Sequence, residues 1–160
     1  MAPEKIDRLG ANALLYSFTK ALHRAVGGSA AAVMRQAGPD MLKELGALGI
    51  NVLDSSDLNS SDLNVLKEKL GKLTTELGFC DDVLFEEDGD DLKLHVKGCS
   101  FWELTQGLKE EGIPPFACPF ACIAVALLEK NMDIGTRIKE ITPEGERASL
   151  IQLELVKKQG

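Results

Sequence analysis

Apolar residues recur at three- and four-residue steps through the first half of the chain, and at two-residue steps in two later stretches. Leu14, Leu15, Phe18, Leu22 and Val26 form one stripe, which predicts a helix over 11–26 that packs through that stripe. Gly27–Gly28 is a stop signal, and Ser29 can cap a second, Ala-rich helix over 30–37. Gly38–Pro39 reads as the next stop, followed by a short helix from Met41 to Leu48. The polar run 54–62 is a loop that launches a further helix, capped by Ser61 or Asp62 and ended by Gly78. Its stripe is Leu63, Leu66, Leu70, Leu73 and Leu77.

The period then drops to two. Val83 to Glu87, Asp88–Gly89 and Leu92 to Lys97 predict a β-hairpin. Leu92, Leu94 and Val96 alternate with Lys93, His95 and Lys97, so one face is buried and the other polar. Helical spacing returns over 101–109, and Gly112-Ile-Pro-Pro links it to the most apolar helix, Ala117 to Lys130. Thr136 to Ile141 and Glu146 to Val156 form a second hairpin around Pro143-Glu144-Gly145. The fold class expected is α+β: a four-stranded antiparallel sheet of two hairpins, packed on one face by the N-terminal helices and a central helix pair. The chain reads as one domain over 1–160, with a helical region spanning 1–78 and a hairpin/helix/hairpin region spanning 79–157. Such a sheet leaves one face to cover, and a second copy can supply the cover, so a homodimer is expected.

Composition narrows the function. With 160 residues, 44% of them hydrophobic, the chain can build a real core without staples. Its formal charge of −7 argues against nucleic-acid binding and against docking on an anionic membrane. No apolar segment follows a basic start, so no secretory signal is read, and the apolar stretch 117–128 is too short to span a bilayer. A cytoplasmic location follows, where Cys80, Cys99, Cys118 and Cys122 stay reduced.

Those cysteines carry most of the candidate chemistry. In FACPFAC, Pro119 suits the first helical position and makes Cys118 the N-cap, where a helix N-terminus lowers a thiol pKa. Cys122 stands one turn on, close enough for both sulfurs to reach one ion. Cys99 is the third candidate sulfur. His95 shares its parity on the alternating strand and is the preferred fourth ligand, with Cys80 behind it. Zinc is the default metal for a sulfur-rich set. The competing reading is that buried cysteines simply fill a core. Phe101, Trp102, Phe116 and Phe120 flank the same segments and are the candidate lining of a hydrophobic small-molecule pocket; ordinary packing is the alternative. The acidic run 81–91 reads as a solvated hairpin edge and His23 as an exposed or capping residue. No catalytic motif is present, so no enzyme activity is assigned.

LHRAVGGSAAAVMRQAGPDMLKEL over 22–45, Cys99-Ser-Phe after the first hairpin, and CPFAC followed by IAVALLE together resemble the 4-vinyl reductase domain family. The resemblance covers most of the chain. It implies the fold of the transport-protein-particle subunits, a ligand cavity between helices and sheet, dimerisation, and metal ligation by cysteines, with Cys99 and Cys118 the matching positions. The family usually places two further cysteines in its last hairpin, where this chain has Glu140-Ile-Thr and Glu146-Arg-Ala-Ser. Three functions compete: a hydrophobic-ligand-binding domain with a cysteine site holding zinc; a thiol redox sensor pairing Cys118 with Cys122 or Cys99; and a structural dimerisation or tethering subunit.

Overall fold

The computed structural model describes residues 7–47, 62–114, 118–132 and 134–157. Helix α1 (Arg8–Val26) starts at Asp7, whose carboxylate accepts the Gly10 N–H at 2.7 Å. A single 3-10 turn, Gly27–Ser29, leads into α2 (Ala30–Ala47). Helix α3 (Leu63–Glu76) is capped by Asp62, which accepts from the Asn64 N–H at 2.9 Å. The hairpin β1 (Asp82–Asp88) and β2 (Asp91–Lys97) follows, then α4 (Trp102–Glu110), α5 (Pro119–Asn131), and the hairpin β3 (Ile134–Pro143) and β4 (Ala148–Lys157).

The four strands form one antiparallel sheet in the order β1-β2-β4-β3. Its inner face carries Leu92, Leu94, Val96, Ile141, Ile151 and Leu153, all buried. They pack with Leu66, Leu70 and Leu73 of α3 and with α5. Every residue of α5 from Phe120 to Leu128 is buried. A helix apolar all round has to lie inside, and α5 is the central rod against which α2, α3 and β3 pack. The expected α+β architecture is the one observed.

Three local expectations are corrected. First, α1 docks through only part of its apolar stripe: Leu15 and Leu22 pack against a small cluster of Ala30, Leu104, Leu108 and Ile113, whereas Leu14, Phe18 and Val26 are exposed and the fully buried positions are Asn12 and Thr19. Asn12 is the reason. Its side-chain amide donates to the Ser100 carbonyl at 2.6 Å and accepts from the Leu104 N–H at 3.1 Å. A buried amide with its partners satisfied holds α1 on the start of α4, and the helix is rotated to allow it.

Second, α2 runs unbroken through Gly38–Pro39. A Cβ at Gly38 would stand 2.6 Å from the Cys122 carbonyl oxygen and 3.0 Å from the Ala126 Cβ, so this glycine is a contact with α5 rather than a stop. Pro39 is exposed, where the carbonyl freed by its missing N–H meets water. Leu48 and the polar run through Ser61 lie outside the described residues.

Third, the outer face of the sheet is largely polar rather than an apolar face waiting for cover, although Leu84, beside His95, is exposed on it. Lys93 pairs with Asp88 at 3.2 Å, Lys139 with Asp91 at 2.8 Å, and Arg137 with Glu154. That face is a charged lattice suited to water.

Candidate functional site

The four cysteines stand in a row at the junction of sheet and helices. Cys80 leads into β1, Cys99 follows β2, Cys118 is the N-cap of α5 with Pro119 at the first helical position, and Cys122 lies one turn further along. None of the four forms a disulfide, and all are buried. Their charges couple in sequence: Cys80 bears on Cys99, Cys99 on Cys118, and Cys118 also feels Cys122. Burial is the leading influence on each and pushes every thiol up, Cys122 to about 11.

This corrects the expectation of a low-pKa N-cap thiol. The N–H groups of Ala121 and Phe120 do favour the Cys118 thiolate, but complete desolvation outweighs them. Reactivity through a ready thiolate at Cys118 therefore loses its basis.

Neighbouring in a row is not the same as surrounding a point. Among the described residues, no group of three or more His, Cys, Asp or Glu side chains is gathered as a metal ion requires. The expected set Cys99, Cys118, Cys122 and His95 is not assembled in this arrangement. His95 stands on the outer face, where Nδ1 lies 2.9 Å from Glu144 Oε2 and Nε2 lies 3.1 Å from Glu86 Oε2. These two carboxylates, Glu144 foremost, hold its pKa above the usual imidazole value. Shared parity fails to carry from His95 to Cys99 because Gly98 intervenes at φ 63. Strand alternation ends at Lys97, and Cys99 is buried while His95 remains outside.

The expected aromatic lining divides. Phe101 and Trp102 are half-buried and pack against the main core, with Phe101 edge to face on Phe79 at 5.1 Å between centroids. Phe120 is fully buried within α5's packing. Phe116 lies outside the described residues.

A mainly apolar cavity lies elsewhere, between α2, α5 and β3. It is open to solvent on the side of Ala31, Ala32 and Arg35, which are exposed, and holds about 390 Å³, within the usual range for small-ligand sites. Gly28, Ala31, Ala32 and Arg35 give it one wall, at the spacing of a single helix face. Cys122 and Val125 come from α5, and the opposite wall is the continuous run Thr136 to Ile141 of β3. Six consecutive strand residues bound one cavity only if it runs along the strand's unpaired edge, since alternate side chains point to opposite faces. The lining is mainly apolar. Polar groups come from Thr136, whose hydroxyl has no hydrogen-bond partner among the described residues, and from Arg35, Arg137, Lys139 and Glu140. Glu129 fixes the wall at one end: it accepts the Thr136 N–H at 2.8 Å and pairs with Arg35. Small residues at helical spacing on α2 are the sequence signal for this wall, because they leave space where larger side chains would fill it.

Comparison with known proteins adds family context. A family profile described as "Putative rubredoxin C-terminal domain" matches residues 11–159. An uncharacterized protein of Methanocaldococcus jannaschii is 26% identical over 149 residues, covering 91% of this chain and 86% of the relative. A protein of Methanothermobacter thermautotrophicus named "Putative rubredoxin" is 32% identical over 71 residues, covering 44% of this chain and 39% of that relative. Among solved structures, one from "Probing the function of heme distortion in the H-NOX family" superposes with a TM-score of 0.48 at 11% identity, covering 99% of this chain and 76% of that one. Among the described residues no helix is long and apolar enough to cross a membrane.

Proposed function

The chain belongs to the family of the Putative rubredoxin C-terminal domain, and from that premise we propose that it is a small-molecule-binding domain whose ligand occupies the cavity between α2, α5 and β3. The observation that carries this reading is the cavity itself: about 390 Å³, mostly apolar, with a few polar groups along one wall. The ligand class it fits is a hydrophobic molecule with one polar end, the apolar body against Ala31, Ala32, Val125 and Ile138 and the polar end toward Thr136 and Arg35. The resemblance to the 4-vinyl reductase domain family supports the same reading, since it implies a ligand space between helices and sheet. A homodimer belongs to the proposal as well. Its support is the exposed apolar surface of α1 and α2, at Leu14, Phe18, Val26 and Val33.

Titration with anilinonaphthalene sulfonate, an apolar probe with one anionic end, tests the site. One probe per chain is expected. Ala32→Phe fills the cavity and should weaken binding by at least about tenfold, the equivalent of ~1.4 kcal/mol. Phe101→Leu, away from the cavity, should leave it unchanged. The reverse pattern would move the site back to the aromatic cluster.

A second reading keeps a metal. It is favoured by the row of four buried thiols and by the name of the Methanothermobacter relative. The thiols as arranged do not enclose an ion, so this reading requires them to close around it. Elemental analysis of the purified protein decides it: iron or zinc at one per chain supports a metal, and sub-stoichiometric amounts of both leave the cavity as the functional site.

A further inference from the structure

The cations in the wall of the cavity between α2, α5 and β3 are already paired, each with a carboxylate that stands outside the lining. Arg35 pairs with Glu129, Arg137 with Glu154, and Lys139 with Asp91 at 2.8 Å. The acid of the lining is Glu140, which has no ion pair among the described residues. The register of β3 on β4 shifts between Ile138 and Glu140, so Glu140 stands opposite the neutral Gln152 rather than a cation. An anionic head in this cavity therefore meets no unpaired cation, and it does meet a carboxylate. A cationic head can reach Glu140 only on the exposed rim, where water screens the pair.

Thr136 supplies what these charges do not. It is 2% exposed while Arg137 beside it is exposed, so its side chain lies on the helix side of β3, the side that Cys122 and Val125 of α5 bound. Its N–H is taken by Glu129 Oε1 at 2.8 Å, the same oxygen that accepts from the Arg35 guanidinium. One shared acceptor atom places Arg35 and Thr136 within two hydrogen-bond lengths of each other, at one end of the cavity. The Thr136 hydroxyl has no partner among the described residues. Ser149 is in the same condition, but it is not part of the lining. A hydroxyl buried without a partner carries the cost of its lost hydration, and in a cavity wall a polar atom of the ligand offsets that cost.

We propose that the polar end of the ligand is an uncharged oxygen, a hydroxyl or a carbonyl, that accepts a hydrogen bond from Thr136 Oγ, and that Thr136 selects such a head over a charged one. The proposal rests on the cavity being the ligand site. A neutral oxygen sheds its hydration at small cost, and one bond to the Thr136 hydroxyl replaces it. A carboxylate or an ammonium loses far more hydration on entering and finds no unpaired opposite charge inside. Either can instead leave its head in water at the open side, beside Ala31, Ala32 and Arg35. The discrimination is then that of one neutral hydrogen bond, roughly threefold to tenfold. The apolar body packs on Ala31, Ala32, Val125 and Ile138 whatever its head, so the body sets the affinity and Thr136 sets the choice of head.

The test is equilibrium dialysis of the intact protein at neutral pH against octanol, octanone, octanoate and octylammonium, which share one chain length and differ in the head. Octanol and octanone should each bind at least about threefold more tightly than either charged ligand. Thr136→Val keeps the shape and removes the hydroxyl, and should erase that preference. Thr136→Ser keeps the hydroxyl and should retain it. A charged ligand that binds as tightly as octanol, or a preference that survives Thr136→Val, overturns the proposal and leaves the cavity reading standing. So does failure of all four ligands where anilinonaphthalene sulfonate binds. Failure of all four together with that probe removes the cavity reading, and this proposal with it. The wild-type series decides the matter even if a variant fails to fold.

Discussion

The two faces of the sheet are built from the same strands and behave as different materials. On β2, Leu92, Leu94 and Val96 face inward and are at most 1% exposed, while Asp91, Lys93 and His95 between them carry ion pairs on the outer face. The inner face is held by packing, which tolerates no gap. The outer face is held by screened charges, each worth a fraction of a kcal/mol. Candidate chemistry follows the same division. The cysteines belong to the inner side and His95 to the outer one, while the ligand cavity runs along the β3 edge between the two. A residue's side of the sheet, more than its distance along the chain, decides which groups it can meet.

Leu94→Ala should break the inner face most severely. Leu94 is completely buried against α3 and α5, and truncating such a residue costs about 2–5 kcal/mol through lost contacts and the cavity left behind. Urea unfolding measures it. A cost below about 1 kcal/mol would show that the inner face is loosely packed and that its contrast with the outer face is overstated.

Much of this division was legible in the sequence. Alternation along 92–97 separates the two faces, and the uniformly apolar run of α5 marks the central helix. Asp62 and Gly78 mark the ends of α3. The failures have specific causes. The α1 stripe was only half legible because the helix is rotated so that Asn12 meets partners 88 and 92 residues away, which turns Leu15 and Leu22 inward and leaves Leu14 and Phe18 outside. Parity misplaced His95 because one glycine at positive φ resets the alternation. The cavity was hidden because Ala31 and Ala32 read alike whether they touch a neighbour or leave room for a ligand.

A smaller effect is expected at Gly38→Ala, where α2 crosses α5. The new methyl would meet the Cys122 carbonyl oxygen at 2.6 Å, a backbone atom that cannot swing aside. The helices must part, at a cost of about 1–3 kcal/mol by the usual penalty for overpacking. Because Cys122 and Val125 also line the cavity, the same variant should weaken probe binding. Unchanged stability together with unchanged binding would show that the α2–α5 contact can relax without disturbing the site.

The smallest expected effect belongs to the outer face and has a sign fixed by pH. Glu144 and Glu86 flank His95 and raise its pKa in the folded state, whereas the unfolded chain has the ordinary value near ~6.5. The folded protein therefore holds the proton more tightly. The resulting stabilisation is complete below about pH 6.5 and fades as pH rises through the raised folded value. His95→Gln removes the titrating group while keeping a polar side chain. Glu86 is half-exposed and Glu144 more than a third exposed, so solvent screens both pairs. The loss at pH ~5.5 should be no more than about 1 kcal/mol, shrinking toward zero by pH ~9. Urea midpoints of the two proteins across that range give the difference directly. A difference that grows with pH would mean that the neutral imidazole is the form held by the sheet. A flat one would mean that the pairs of His95 with Glu144 and Glu86 contribute no net stability, whatever the lysine and arginine pairs beside them do.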